Sequence, residues 1–373
     1  MHTLIIPDKF KGSLTATEVC NSVSKGIISV FPNSKITKLP LADGGEESLE
    51  ALETTLNLSR IYLKVNNPLF IPTKAWYGIK NDTAYIEMAK ASGLQLLEKG
   101  EQNPMDTTSY GTGELIIDAI KNGAKTIYLF VGGSATNDAG IGLASALGYS
   151  FLDGNNNVLE PIGSNLKHIC KIENSCNIDF DEIIFYVLTD VTNTLFGENG
   201  AAFVFAAQKG ASKKEIVELD EGLENFNFLT KKHFEKDFSN IAGSGAAGGI
   251  GAGAMCFCNA ELKSGIDEVI KLLNIEQKIE DADLVITGEG LFDHQTLQGK
   301  VVKGVIDLCQ KKNKPLAILC GATNFTKDEI KEFNPIIIKP IKTESISIED
   351  SMGNAFNLLT ERTIELLHSE QFN

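Results

Sequence analysis

Residues 4–30, LIIPDKFKGSLTATEVCNSVSKGIISV, decide the fold class. Leu4, Ile5 and Ile6 make a short apolar strand that stops at Pro7-Asp8. After a polar loop, Thr15 and Glu18 form a capping box, and the helix it opens carries Val19, Val23, Ile27 and Val30 on one face. The order returns at 36–41, read as a strand, and at 46–56, read as a helix entered through Asp43-Gly44-Gly45. Strand, polar loop and amphipathic helix in repetition is the pattern of a parallel sheet covered by helices. The end of the chain repeats it, with a helix over 265–273, the strand Leu284-Val285-Ile286-Thr287, a helix over 301–309 and strands at 316–319 and 336–338. Ser351 is read as the cap of a last helix carrying Met352, Phe356 and Leu359. Both termini therefore build one parallel-sheet domain, residues 1–65 plus 260–373, and 66–259 is inserted as a second, mixed α/β domain.

From about residue 60 the pattern changes. Short strands near 61–65, 73–77 and 83–88 are split by Asn-Pro and Lys-Asn-Asp turns, which predicts antiparallel ribbons. Crossover units resume with a strand over 126–131, followed by Gly132-Gly133-Ser134, and a strand over 183–188 ending at Thr189-Asp190. The charged stretch 213–236 reads as one or two helices. Six glycines among the eleven residues 243–253 mark either a flexible connector or a close approach of backbones, and the flanking alanines favour the start of a tightly packed helix.

Composition narrows the function. Acidic residues outnumber basic ones 49 to 34, giving a net charge of -15, and Arg60 and Arg362 are the only arginines. A nucleic-acid partner is disfavoured, because backbone phosphates demand a basic surface. An anionic small molecule must instead meet a few local lysines, backbone N–H groups or a metal ion. No apolar run reaches the length of a membrane span, and seven scattered cysteines without a ligand pattern fit reduced thiols of a cytoplasmic protein.

Five polar loops follow expected strands, and in an open parallel sheet such loops form the ligand site. They begin at Asp8, Asp43, Gly132, Asp190 and Gly288. Gly132-Gly133-Ser134 is the best phosphate cradle, although neither a P-loop nor a Gly-x-Gly-x-x-Gly string is present. Lys11, just before Gly12-Ser13, is the candidate cation. Asp8, Asp43, Asp190, Glu289 and Asp293 are acids that can hold Mg²⁺ or accept a proton, each with a turn-forming or capping role as the alternative. Asp190, at the end of a very apolar strand, is the first choice as base. Asn137 and Asn193 are candidates for orienting substrate oxygens, and Gln295 for meeting a hydroxyl or phosphate; His294 stands without a neighbouring nucleophile.

At these residues the chain resembles the bacterial glycerate kinases of the glycerate 2-kinase type. The family start Pro-Asp-Ser-Phe-Lys-Gly-Ser is similar to Pro7-Asp8-Lys9-Phe10-Lys11-Gly12-Ser13 here. Leu41-Ala42-Asp43-Gly44-Gly45-Glu46, Thr108-Ser109-Tyr110-Gly111-Thr112-Gly113-Glu114, Gly132 to Asp138, Asp190-Val191-Thr192-Asn193 and Thr287-Gly288-Glu289-Gly290 follow in the family's order. The resemblance implies two α/β domains, one of them discontinuous and Rossmann- or flavodoxin-like, with the site in the cleft between them. It also implies transfer of the ATP γ-phosphoryl group to (R)-glycerate with Mg²⁺, giving the 2-phosphate, and is compatible with a homodimer. In that reading Asp190, Lys11 and Asp8 are catalytic. Ser13, Asp43, Gly44, Asn137 and Asn193 bind substrate. Gly132, Gly133, Ser134, Gly288, Glu289 and Gly290 bind the nucleotide phosphates, and Asp43 and Glu289 hold the metal. A 3-phosphate product, a related hydroxy acid, or a non-catalytic sensor are the alternatives. The chain departs from the family at Glu47 and Ala139, commonly Gly, at Thr194, commonly Pro, and at Leu291, commonly Arg.

Overall fold

The computed structural model describes residues 1–41, 48–294, 296–298, 301–332, 337–343 and 345–369. The chain divides into two compact units, one of residues 1–43, 50–55 and 266–373, the other of 44–49 and 56–265. Among the described residues no helix is long and apolar enough to cross a membrane.

The first unit is an α/β structure on five parallel strands, in the spatial order Ile337–Pro340, Leu316–Cys320, Leu284–Thr287, His2–Ile5, Lys35–Lys38. From the Lys35–Lys38 edge, in order of appearance within this unit, that is 2-1-3-4-5, the flavodoxin-type order, and the direction of winding reverses between His2–Ile5 and Leu284–Thr287. Leu284–Thr287 is buried at every residue, as a central strand covered on both faces must be. The helix Ala16–Val30 has the expected capping box, with Glu18 N–H donating to Thr15 Oγ1 at 3.2 Å and Thr15 N–H donating to Glu18 Oε2 at 2.9 Å. Its face of Val19, Val23 and Ile27 joins Ile5, Ile286, Leu319, Leu359 and Leu366 in one core. Gly26 lets it press against the helix Ala355–Leu367, for a Cβ there would lie 2.7 Å from Thr363 Cβ. The C-terminal end differs from expectation. Ser347 caps a short helix Ile348–Gly353, and Ser351 sits inside it with its hydroxyl turned back to Ile348 O, so it caps nothing.

The second unit is built on a mixed sheet of six strands in the order Glu261–Lys263, Ile184–Leu188, Thr126–Phe130, Thr83–Glu87, Pro72–Lys80, Ser59–Asn66. The first four run parallel and the last two join as antiparallel ribbons. Ser59–Asn66 pairs with Pro72–Lys80 from Ser59↔Ile79 to Asn66↔Pro72 and so lies with the second unit, not with the N-terminal strands. Its local turn decides this, because Asn67 Oδ1 accepts from Leu69 N and Ile71 N and closes the hairpin. Lys213–Phe234 is a single helix opened by a Ser212–Glu215 capping box. The helix that follows Gly132-Gly133-Ser134 begins only at Ile141 and ends at Leu147.

The candidate active site

In the first unit the sheet brings two expected loops side by side at the point where its winding reverses. Ile6 N donates to Ile286 O and Asp8 N to Gly288 O, each at 2.8 Å, and Thr287 Oγ1 donates to Ile6 O at 2.8 Å. Asp8 and Glu289 are thus carboxylates on adjacent strand ends, only 8% and 6% exposed. Gly288 is required by a neighbour, since a Cβ would fall 1.7 Å from Leu319 O. A Cβ on Gly290 would lie 3.2 Å from Lys11 N, which places the exposed Lys11 next to the same loop. Gly321 N and Ala322 N donate to Glu289 O and Gly290 O at 3.0 Å, and Leu291–Phe292 then pairs in parallel with Ala322–Thr323. Ser13 Oγ donates to Met352 O at 2.7 Å. Around these groups lies a pocket of about 550 Å³ whose walls include Phe10, Lys11, Leu291, Ala322, Lys342 and Met352.

Asp293 holds a turn, its Oδ1 accepting from Thr296 N at 3.2 Å. His294 is exposed against the Phe325 ring and 3.7 Å from Glu329 Oε1. Asp43, Gly44 and Gln295 lie outside the described residues. Among the described residues no group of three or more His, Cys, Asp or Glu side chains could hold a metal, and Asp8 and Glu289 are the acids brought to adjacent strand ends.

The second unit gathers the remaining candidates. The loop from Gly132 to Gly140 turns through left-handed backbone at Gly133, Ala139 and Gly140. It is pinned by Asp138, wholly buried, whose carboxylate accepts from Ser109 N and Ser109 Oγ at 2.7 Å, Gly140 N at 3.1 Å and Gly142 N at 3.3 Å. Burial pushes this carboxyl above its usual range, and those bonds pull it partly back. Lys209, 3% exposed, donates to Ser134 Oγ at 2.8 Å and Thr136 O at 2.6 Å. Burial pushes its ammonium down to about 7, against the pull of the Asp138 charge. Asn137 is fully buried, and among the described residues neither polar atom of its amide finds a hydrogen-bond partner. A buried polar group in that state is costly unless a water molecule or a ligand satisfies it.

Asp190 is exposed just past the strand Ile184–Leu188, with Oδ1 accepting from Ser264 Oγ at 3.0 Å and Gly265 N at 2.9 Å. Asn193 donates its side-chain amide to Asn199 O at 2.9 Å, while its backbone carbonyl accepts from Gly243 N and Gly245 N at 3.1 Å. The glycine-rich run joins these loops. Ala139 N donates to Gly248 O at 3.0 Å, and a Cβ on Gly248, at φ +73°, would stand 2.1 Å from Thr136 O. Close approach, not flexibility, is what the glycines serve.

Sequence reasoning missed Lys209 and the binding of Asp138 to Ser109. The signal for Lys209 was a single lysine between the small apolar run at 201–207 and Gly210. For Asp138 it was the pairing of two motif blocks, 108–114 and 132–138, whose common purpose only the hydrogen bonds reveal.

Residues 3–369 match the profile of the Glycerate kinase family. The chain is 43% identical over 326 residues to the glycerate 2-kinase of Escherichia coli (strain K12), covering 86% of this chain and 85% of that one. It is 38% identical over 366 residues to a glycerate kinase of Halalkalibacterium halodurans, covering 97% and 96%. A crystal structure from Salmonella typhimurium LT2 superposes with a TM-score of 0.84 at 36% identity, covering 98% of this chain and 97% of that one. With the family profile matched along nearly its whole length and relatives of this identity covered almost end to end, this chain belongs to the glycerate kinase family.

Proposed function

We propose that the chain transfers the γ-phosphoryl group of ATP to the 2-hydroxyl of (R)-glycerate, giving 2-phospho-(R)-glycerate and ADP. The observation that carries this reading is the 43% identity, over most of both chains, to the glycerate 2-kinase of Escherichia coli. Asp190 accepts the hydroxyl proton, and Ser264 and Gly265 fix its carboxylate in place for that role. Lys11 balances the anionic substrates, and Asp8 stands earlier in the same loop, beside Glu289 at the neighbouring strand end. Backbone N–H groups of Gly132-Gly133-Ser134 and of Gly288-Glu289-Gly290 take phosphate oxygens, since glycines leave the approach open. Asn137 and Asn193 orient glycerate, and the buried amide of Asn137 gains partners by doing so.

The acids suit Mg²⁺, a hard ion that takes one or two carboxylates and completes its shell with phosphate and water. Glu289 would hold it from the first unit's strand-end loop, together with Asp43, which lies outside the described residues. When bound, the ion offsets charge on the transferring phosphoryl group.

Phosphorus NMR of the product from D-glycerate and Mg-ATP tests the proposal. A 2-phosphate resonance is expected. A 3-phosphate would overturn the assigned position, and the absence of any phosphoester would overturn the activity.

A further inference from the structure

We propose that the pocket of the first unit is the nucleoside subsite, with the base and ribose of the nucleotide packed among Leu291, Ala322, Ile348 and Met352 and the phosphates led toward Lys11 and Lys342. The inference rests on the kinase reading above and says where that reading's larger substrate binds.

Position comes first. All the lining residues belong to the first unit, and Gly290-Leu291 and Phe10-Lys11 continue from the two strands at which the winding of its sheet reverses. Nucleotides bind doubly wound sheets beyond the carboxyl ends of such strands. Chemistry comes second. Leu291, Ile348 and Met352 are 43%, 64% and 41% exposed, a concentration of large apolar side chains on an acidic protein that needs an occupant. Lys11 and Lys342 stand in the same wall, and among the described residues neither is paired with a carboxylate. Apolar faces bounded by cations suit a flat heterocycle joined to a polyanion, and Asn324 on the wall offers an amide to the edge of the base.

Size decides between the two substrates. The pocket, at about 550 Å³, falls within the range of roughly 300–1,000 Å³ typical of ligand sites. Glycerate has three carbons, a carboxylate and two hydroxyls, so it would leave most of this space empty and gain nothing from apolar walls. A nucleoside fills it and buries those walls.

The test uses the full chain and the fluorescent nucleotide N-methylanthraniloyl-ADP, with the substitutions Ile348→Glu and Met352→Glu. Both positions are exposed enough to accept a charge, and Ile348 opens a helix, where an acid is welcome. The wild-type chain should bind the probe. Each substitution should weaken binding at least tenfold and raise KM for ATP in step, with KM for glycerate held within twofold. Variants that keep the wild-type unfolding midpoint yet bind the probe as tightly as wild type overturn the inference, as does a wild-type chain that binds no probe. Binding that is lost in the variants of a protein unable to phosphorylate glycerate would uphold the subsite and overturn only the acceptor assignment.

Discussion

Replacing Lys209 with methionine removes a rise of stability with pH that the wild-type protein should show. The folded-state ammonium is pushed down to about 7 from an ordinary 10.5, whereas in the unfolded chain it returns to the ordinary value. Below pH 7 both states hold the proton, and the full cost of burying the charge is present. Between pH 7 and 10.5 the unfolded state binds the extra proton, so stability climbs with pH, by at most about 1.4 kcal/mol per unit. From pH 7.5 to 8.5 the gain is about 1 kcal/mol. The buried thiols act in the opposite sense. Cys20, Cys256 and Cys309 are each pushed up to about 12, so the unfolded state sheds their protons first and stability falls as pH rises past the ordinary thiol range. That fall is common to wild type and variant, and the difference between them reports Lys209 together with its charge partner Asp138. Methionine also leaves Ser134 Oγ and Thr136 O without their donor, which lowers stability by about 1–3 kcal/mol on top of the changed slope. Urea titrations followed by Trp76, the chain's single tryptophan and part of the second unit's sheet, report the unit concerned. Equal slopes for wild type and variant between pH 7.5 and 8.5 would refute the reasoning.

Three further outcomes are expected. Asp190→Asn should lower kcat by about 10²–10⁴ while leaving ADP binding intact in equilibrium dialysis, and a kcat within threefold of wild type removes it as base. Gly248→Ala should destabilise the second unit by more than about 3 kcal/mol, because its methyl would enter Thr136 O from a left-handed backbone; a thermal midpoint within 2 °C of wild type, by a criterion of about this size, contradicts that packing. Thr15→Ala should cost about 1 kcal/mol through loss of the capping box, measurable by urea unfolding of the first unit, and no loss would show that Glu18 alone holds the helix start.

Much of the architecture was legible because its signals are local. The Thr15–Glu18 box gave the first helix to the residue, and the apolar triplet at 4–6 gave the first strand, which runs His2–Ile5 and so starts earlier and ends before Ile6. The Asn67 turn was visible too, but its effect on which sheet claims Ser59–Asn66 depends on pairing, which a single strand does not announce. Ser351 misled for a related reason, since Ser347 offers the same hydroxyl four residues earlier with Asp350 at the position it caps. At the site, the loops at Asp8 and Gly288 were found from strand-plus-glycine patterns. Lys209 was not, because a buried lysine looks like a surface one until its acceptors, 75 and 73 residues away, are known.

The assembly of the first unit's sheet sets an order of events during synthesis. His2–Ile5 emerges early but pairs on one side with Leu284–Thr287, nearly three hundred residues later. Until that strand leaves the ribosome, one edge of the first strand has unpaired backbone groups, and its apolar side chains lack much of their cover. The second unit, contained within residues 44–265, needs no such wait and can complete itself beforehand. A chain cut off and released after residue 270 should therefore present a finished protease-resistant body with a loose, aggregation-prone head, and helper proteins that shield short apolar strands would act there.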